Sequence, residues 1–410
     1  MICVPLFPPP VIDPYGNNLF NAFGVFEQQP PQPQQPIELS LPRYVNYLAD
    51  YSGCGFWRIL WPELLINASG IGCSSSLTAM VANNHWYQGV KAVKIQRQAS
   101  NDQKEFVKYL KSIQPEYGFR LIYEVDDVVF REEIPNYNKF KFAFDTDEIR
   151  NNCVEIINLC DEVVVTCDYM RRLYIDKTGK KEITVVPNFV PYSWMGHDFN
   201  RSNIYNSYDK NKKKPRVIYT GSGAHYDVDF KNNGIDDFSH VIDFVRKSIN
   251  KYQWVFVGSY PPGLHNLVES KQIEFHAWQT LANYPSFIKS LNVQAMIAPL
   301  LDNNFNRSKS DIKFIEACVM GLPCMVQDME TYKNAPDYLK FKTGEDLEIK
   351  LDAVLKNKSA YYSNVDKYRD IGARRFLELT ENIGCHLEIL NTPFGSPERK
   401  YLQKWNNVDF

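Results

Sequence analysis

Four polar side chains in the stretch APLLDNNFNRSKSDIKFIEACVMGLPCMV, residues 298–326, stand where two ligand groups would need them. Lys309 and Ser310 open an apolar helix, Lys313 follows about one turn on, and Glu316 lies beyond it. A helix N-terminus attracts anions because its free N–H groups and positive dipole end point outward. Lys309 adds a full charge, Ser310 a hydroxyl, and Lys313 a second charge flanking the same place. Glu316 suits a vicinal diol, which offers a carboxylate two O–H donors. Phosphate plus diol reads as a nucleotide. The plainer reading is a surface helix with an N-cap and a salt bridge; the placing of the charges in KSDIKFIEA, and the direct closure of the helix by Gly321, Leu322 and Pro323, favour the nucleotide.

Three further stretches carry candidate chemistry. In VIYTGSGAHYDVDF, residues 217–230, a strand runs into Gly221, Ser222 and Gly223. Such a turn offers backbone N–H groups to a diphosphate. His225 is placed to donate to that phosphate, or to cap the next segment. His225, Asp227 and Asp229 have no fourth ligand nearby, which argues against a metal site. In SGCGFWRILWPELLIN, residues 52–67, Gly53 and Gly55 separate a strand from a helix. Glycine there lets a ligand approach the backbone, and Arg58 is a candidate to reach a phosphate or an acceptor. In LIYEVDDVVF, residues 121–130, Asp126 and Asp127 sit at a strand's carboxyl end. Either suits a general base for a hydroxyl, or both are turn aspartates.

The elements that must position these residues alternate. Strands are expected at Tyr44–Ala49, Leu77–Ala82, Lys91–Gln96, Phe119–Glu124, Glu162–Thr166 and Ile183–Val186, with helices at Phe56–Asn67, Asp102–Ile113, Asp147–Leu159 and Asp168–Lys177. The alternation restarts after 216: strands Val217–Thr220, Trp254–Val257, Ile273–His276, Ala295–Ala298 and Cys324–Gln327, helices Asp236–Ile249, Tyr284–Leu291 and Ser310–Met320, then helices near 344–356 and 359–379. Two doubly wound parallel α/β sheets follow, with ligands beyond the carboxyl ends of the strands. The expected division is an N-terminal arm with a Pro/Gln tract (1–40), a first Rossmann-like domain (41–195), a polar linker (196–215), a second Rossmann-like domain (216–375) and a helical tail (376–410), whose last segment, residues 392–405, is expected as a tail or short helix packed on the outside.

The chain has 410 residues and a formal net charge of −2, so no global field draws in nucleic acid or an anionic membrane. Local basic residues remain: Arg171, Arg172, Lys177, Lys180, Lys181 and the run from Lys210 to Arg216. Nine cysteines without a C-x-x-C pair argue against a zinc ribbon or a disulfide scaffold. Cys153 and Cys160 fall on one helix face, as core residues. The N-terminus lacks a signal-peptide pattern, and no apolar run is long enough to span a membrane. A reducing, cytoplasmic setting is expected.

The stretch around Lys309 resembles the donor-sugar motif of retaining GT-B glycosyltransferases, in the branch written P-L-x-D-N-x-F-N-x-x-K-S-x-I-K-x-x-E-x-x-x-x-G-x-P. Glu316 corresponds to the second glutamate of the family's paired-glutamate form, and Ser308 stands at the first. The Gly221–His225 turn resembles the family's G-S-x-x-H, and VVPNFVP, residues 185–191, resembles its domain-closing V-x-P-N-x-V. The Gly53 loop matches the loop that nears the donor across the cleft, and His276 and Trp278 stand where the family holds the base.

The resemblance implies a GT-B fold, two Rossmann-like domains facing across a cleft. It implies transfer of a sugar from a nucleotide diphosphate sugar, UDP-linked, with retention, without metal and with no cofactor beyond that co-substrate. Donor-binding residues would be Gly53, Gly55, Arg58, Gly221, Ser222, His225, His276, Trp278, Asn306, Lys309, Ser310, Lys313 and Glu316. Asp126, Asp127 and Lys309 would be catalytic. Asp126 and Asp127 also evoke the metal motif of GT-A enzymes, but the nucleotide motif near 310 lies too far along for that class. The trio GCGFWR, YEVDD and KSDIK resembles glycosyltransferases of large DNA phages, which makes hydroxymethylated or hydroxylated cytosine in duplex DNA the first acceptor expected. Polysaccharide, lipid-linked glycan and protein are the alternatives. Phe20, Phe23 and Phe26, before the Pro/Gln tract, raise a non-catalytic, sugar-binding virion module as a further reading.

Overall fold

A computed structural model describes residues 43–51, 53–70, 74–77, 79–197, 214–355 and 358–406. The expected arm and nearly all of the expected linker lie outside these residues.

Two six-stranded sheets, parallel throughout, carry the described chain. The first contains β1 (Tyr44–Tyr47), β2 (Ser74–Leu77), β3 (Ala92–Gln96), β4 (Arg120–Glu124), β5 (Glu162–Val165) and β6 (Ile183–Val185), in the order β2-β1-β3-β4-β5-β6. The second contains β7 (Arg216–Gly221), β8 (Gln253–Gly258), β9 (Glu274–His276), β10 (Ala295–Ala298), β11 (Cys324–Gln327) and β12 (Lys340–Phe341), in the order β12-β11-β10-β7-β8-β9. Apolar runs such as Val217–Tyr219 and Trp254–Val257 are buried throughout, as a sheet covered on both faces requires.

Three local expectations are corrected. The second strand lies at Ser74–Leu77, not Leu77–Ala82. It is an edge strand held by side chains: Asn67 exchanges two hydrogen bonds with the Ser74 backbone, and Asn46 Nδ2 donates to Ser74 Oγ at 2.8 Å. The helix expected over Asp236–Ile249 is confined to Ile242–Lys247. Asp236 instead accepts from Phe238 N and Asp227 N, which keeps the preceding residues in turns. The helix carrying Glu316 runs Ile312–Val319 with Asp311 at its N-cap, so Lys309 and Ser310 precede it.

The C-terminal segment packs back on the first sheet. Residue 376 bridges Val190, and helices Thr380–Asn391 and Lys400–Asn406 return to the first sheet. Cys385, Ile389, Leu390 and Leu402 share a core with Tyr44, Ala92, Ile122 and Val164. Arg399 grips the buried Glu162 through two contacts, at 2.5 and 2.6 Å. Such a two-pronged pair fixes geometry as well as charge.

Candidate functional site

The loops at the carboxyl ends of both sheets converge. β7 ends at Gly221, beside Gly258 of β8 in register. A Cβ on Gly221 would lie 2.5 Å from Tyr219 Oη, so only glycine fits over that ring. Ser222 Oγ accepts from Ala224 N and caps a short turn that carries His225. A Cβ on Gly223 would lie 3.1 Å from Lys139 Nζ, which reaches in from the first domain. Lys313 Nζ donates to Tyr219 Oη at 3.1 Å. Lys309 Nζ stands 4.8 Å from the centre of the Phe305 ring. Lys139, Lys309 and Lys313 make no ion pair among the described residues.

Burial governs the electrostatics, with the neighbouring charges second. Burial, and then the charge of Lys309, pull the Lys313 ammonium down to about 7. Burial pushes the Glu316 carboxyl up to about 8, against the pull of Lys313. Burial, Lys313 and Lys309 together bring His225 down to about 3, although Asp237 favours its charged form. An anion entering here would meet lysines that hold no direct ion pair among the described residues.

A cavity of about 150 Å³ lies between the halves, lined by Gly53 and Trp57 from one side and Gly221, Trp278, Lys313 and Glu316 from the other. Ligand pockets usually measure roughly 300–1,000 Å³, so this space is smaller than a typical ligand pocket. The two glycines of the first loop differ. A Cβ on Gly53 would meet nothing within 4 Å, whereas one on Gly55 would lie 1.9 Å from the Asp50 carbonyl oxygen. Gly55 serves the turn, and Gly53 leaves space on the cavity wall. Trp57 follows on a π-helical turn, Phe56–Leu60, and packs among second-domain core residues, 5.5 Å from the Trp194 ring.

Several expected ligand residues are placed otherwise. Arg58 is fully buried: Nε donates to Glu124 at 2.7 Å, and Nη1 donates to Val186 O and Asn188 Oδ1. It ties the first helix to the chain leaving β6 and does not reach the cleft, because the π-helical turn aims it inward. His276 pairs with Glu274 at 2.6 Å and does not line the cavity, whereas Trp278 does, with 60 % of its surface exposed. Asn306 is fully buried and donates to Leu301 O, Tyr137 Oη and Asp237. It holds the loop under Lys309. Ser310 Oγ accepts from Asn188 Nδ2 at 2.9 Å, a contact between the domains. Ser308, at the place of the family's first glutamate, donates to Asn304 O within its own turn.

Asp126 and Asp127 end up half-buried near Arg97 and Cys54. Asp126 Oδ1 is buried without a hydrogen bond, and burial and the Asp126 charge push the Cys54 thiol up. Asp127 accepts from Val128 N, and its carboxyl is raised by burial against the charges of Lys309 and Arg97. Asp127 thus senses the second domain. Arg97 adopts a φ of 49°, a left-handed backbone costly for a residue with a Cβ. Its guanidinium contacts Asp50 at 3.2 Å.

Three contributors were not singled out from sequence: Lys139, Asp237 and Tyr137. Tyr137 of the first domain donates to Asp237 Oδ1 at 2.7 Å, and Asp237 Oδ2 meets His225 Nδ1 at 2.6 Å. No local spacing announces contacts between such distant segments. Among the described residues, no group of three or more His, Cys, Asp or Glu side chains is placed to hold a metal ion. Asp227 accepts from Asn232 N and Gly234 N, and Asp229 pairs with Lys231. Of the basic residues raised for DNA, Arg171, Arg172, Lys177, Lys180 and Arg216 all pair with carboxylates. No described helix is long and apolar enough to cross a membrane.

No family model and no curated protein matches the sequence. Solved structures do match. Anabaena Alr3699/HepE in complex with UDP and glucose aligns over 90 % of this chain and all of its own, at 10 % identity and a TM-score of 0.54. The same protein in complex with UDP-glucose covers 89 % and 99 %, at 9 % identity and a TM-score of 0.54. A glycosyltransferase from Rickettsia africae covers 86 % and 98 %, at 11 % identity and a TM-score of 0.54. Two parallel six-stranded sheets in this arrangement, over nearly the whole chain, give the protein the GT-B fold.

Proposed function

We propose that the cleft binds a nucleotide diphosphate sugar, UDP-linked, and that the protein transfers the sugar to an acceptor hydroxyl. The carrying observation is the gathering of Lys139, Lys309 and Lys313, unpaired, around the Gly221–His225 turn, with Glu316 on the same cavity. The diphosphate lies against the turn and the lysines. The ribose diol donates to Glu316, whose ionisation a charged Lys313 favours. Trp278 flanks the base. As the glycosidic bond breaks, negative charge develops on the diphosphate, and preorganised cations stabilise that state more than the ground state. This supplies the role a metal would otherwise fill, so activity survives chelator.

Asp127 is the base for the acceptor hydroxyl, made more basic by burial and facing Lys309. Retention of configuration goes with the donor motif. Domain closure, with Trp57 anchored in the opposite core, keeps water from the donor. Carboxylates from Asp50, Asp126 and Asp127 gather around one arginine, Arg97. An uncharged carbohydrate hydroxyl fits this acceptor side directly. Hydroxymethylated cytosine fits once flipped from the duplex, with its phosphates held clear of the carboxylates.

The test presents purified protein with UDP-sugars and with either neutral oligosaccharides, duplex DNA carrying 5-hydroxymethylcytosine, or unmodified DNA. UDP release with a matching mass gain on one acceptor establishes the transfer and names the acceptor. Absence of both UDP binding and UDP release across the panel overturns the donor reading.

A further inference from the structure

His225 is more constrained than a phosphate-binding histidine needs to be. Its Nδ1 lies 2.6 Å from Asp237 Oδ2. The other oxygen of Asp237 accepts from Tyr137 Oη at 2.7 Å, Asn306 Nδ2 at 2.6 Å and Leu301 N at 2.9 Å. Burial works against the Asp237 charge, but the hydrogen bond from His225, with the charge of Lys309, holds its carboxyl below the ordinary range. An ionised Asp237 requires a proton on Nδ1. In the neutral ring, Nε2 is then a bare lone pair, and it has no hydrogen-bond partner among the described residues. The charged groups facing the ring are Asp237, Lys309 and Lys313, and the Tyr219 ring stands at its edge. Lys139 approaches the same turn at Gly223.

A lone pair repels a phosphate oxygen. Burial first, and then the charges of Lys313 and Lys309, keep the imidazole neutral; a diphosphate entering among these lysines offsets their charges and presents acceptors to Nε2. Resting on the donor reading above, we infer that His225 and Asp237 form a proton-accepting pair for the donor: as the diphosphate binds, Nε2 takes one proton from solvent and donates it in a hydrogen bond to the phosphate. Asp237 keeps its charge and balances the imidazolium. Tyr137 and Asn306 hold Asp237 in place, so the first domain, through Tyr137, prepares the pair when the domains are closed.

UDP is the probe. Calorimetric titration near pH 7, in buffers of different ionisation enthalpy, counts the protons taken up on binding. Lys313 and Glu316 also contribute, so the informative quantity is the difference between wild type and His225→Gln, which is expected to lose about one proton of uptake. Ring ¹⁵N NMR of the wild type gives a second readout, with the His225 signal assigned by its absence in the variant. The free protein should show a neutral ring protonated at Nδ1, and the UDP complex an imidazolium. In Asp237→Asn the Nδ1 tautomer should no longer dominate. UDP binding with an unchanged neutral ring, or with equal proton uptake in His225→Gln, overturns the pair while leaving the donor site standing. No UDP binding to the wild type overturns the donor reading itself.

Discussion

The Lys313 ammonium donates to Tyr219 Oη at 3.1 Å and stands 4.4 Å over the same ring, beneath the turn that begins at Gly221. A cation held there, partly dry and near Lys309, burdens the empty fold. Its folded pKa of about 7 lies below the unfolded 10.5, so the unfolded chain binds more protons between those values. Stability therefore rises with pH across that window, and the penalty is complete below it. Lys313→Met should raise the melting temperature by about 2 °C or more near pH 6, and by less near pH 10. It should also weaken UDP binding at least about tenfold, in the range of a hydrogen bond to a charged group.

Glu316 gives the opposite pH signature. Its folded pKa of about 8 lies above the unfolded 4.5, so the folded chain holds the extra proton. Stability falls as pH rises from the unfolded to the folded value, and the penalty is complete above it. Glu316→Gln should stabilise the ligand-free protein more at pH 9 than at pH 5, and should weaken UDP binding. Thermal melts of both variants across pH check the pair. Equal gains at all pH values would show that neither group titrates as its surroundings dictate.

Gly53→Ala and Gly55→Ala separate ligand space from turn geometry. The first adds a Cβ into open space and should leave the melting temperature nearly unchanged while raising the KM for UDP-sugar. The second places a Cβ against the Asp50 carbonyl and should destabilise the first domain. A destabilised Gly53→Ala with normal KM would remove Gly53 from the cavity wall.

Arg58 should behave as a structural residue. Arg58→Ala leaves the buried Glu124 without its ion-pair partner, a loss of about 3–5 kcal/mol for such pairs. Denaturant unfolding should show that loss, while the protein that remains folded binds UDP with wild-type affinity. A stable variant that fails to bind UDP would return Arg58 to the donor site.

Asp127→Asn should lower kcat by about a hundredfold or more, the usual worth of a positioned base, with little change in the KM for UDP-sugar. Asp126→Asn should cost less, because Asp126 Oδ1 is turned into the protein. The reverse ranking would make Asp126 the base.

Most of the secondary structure was legible in the residue pattern. Apolar runs of strand length alternating with helical periods fixed two doubly wound sheets, because backbone hydrogen bonding and side-chain period are short-range properties. The strands Ala295–Ala298 and Cys324–Gln327 and the helix Asp147–Leu159 fall where their patterns put them. Lys313 and Glu316 share one cavity because both lie on one short helix. The partners of the buried side chains come from packing and not from any local pattern. Arg58 finds Glu124, Tyr137 finds Asp237, and Arg399 finds Glu162, at separations of 66, 100 and 237 residues. A buried charge goes to whichever counter-charge the packing delivers, and that depends on how sheets and crossovers stack. The tail shows the same limit: its helical pattern is local, but only the packed first sheet offers the face that it covers.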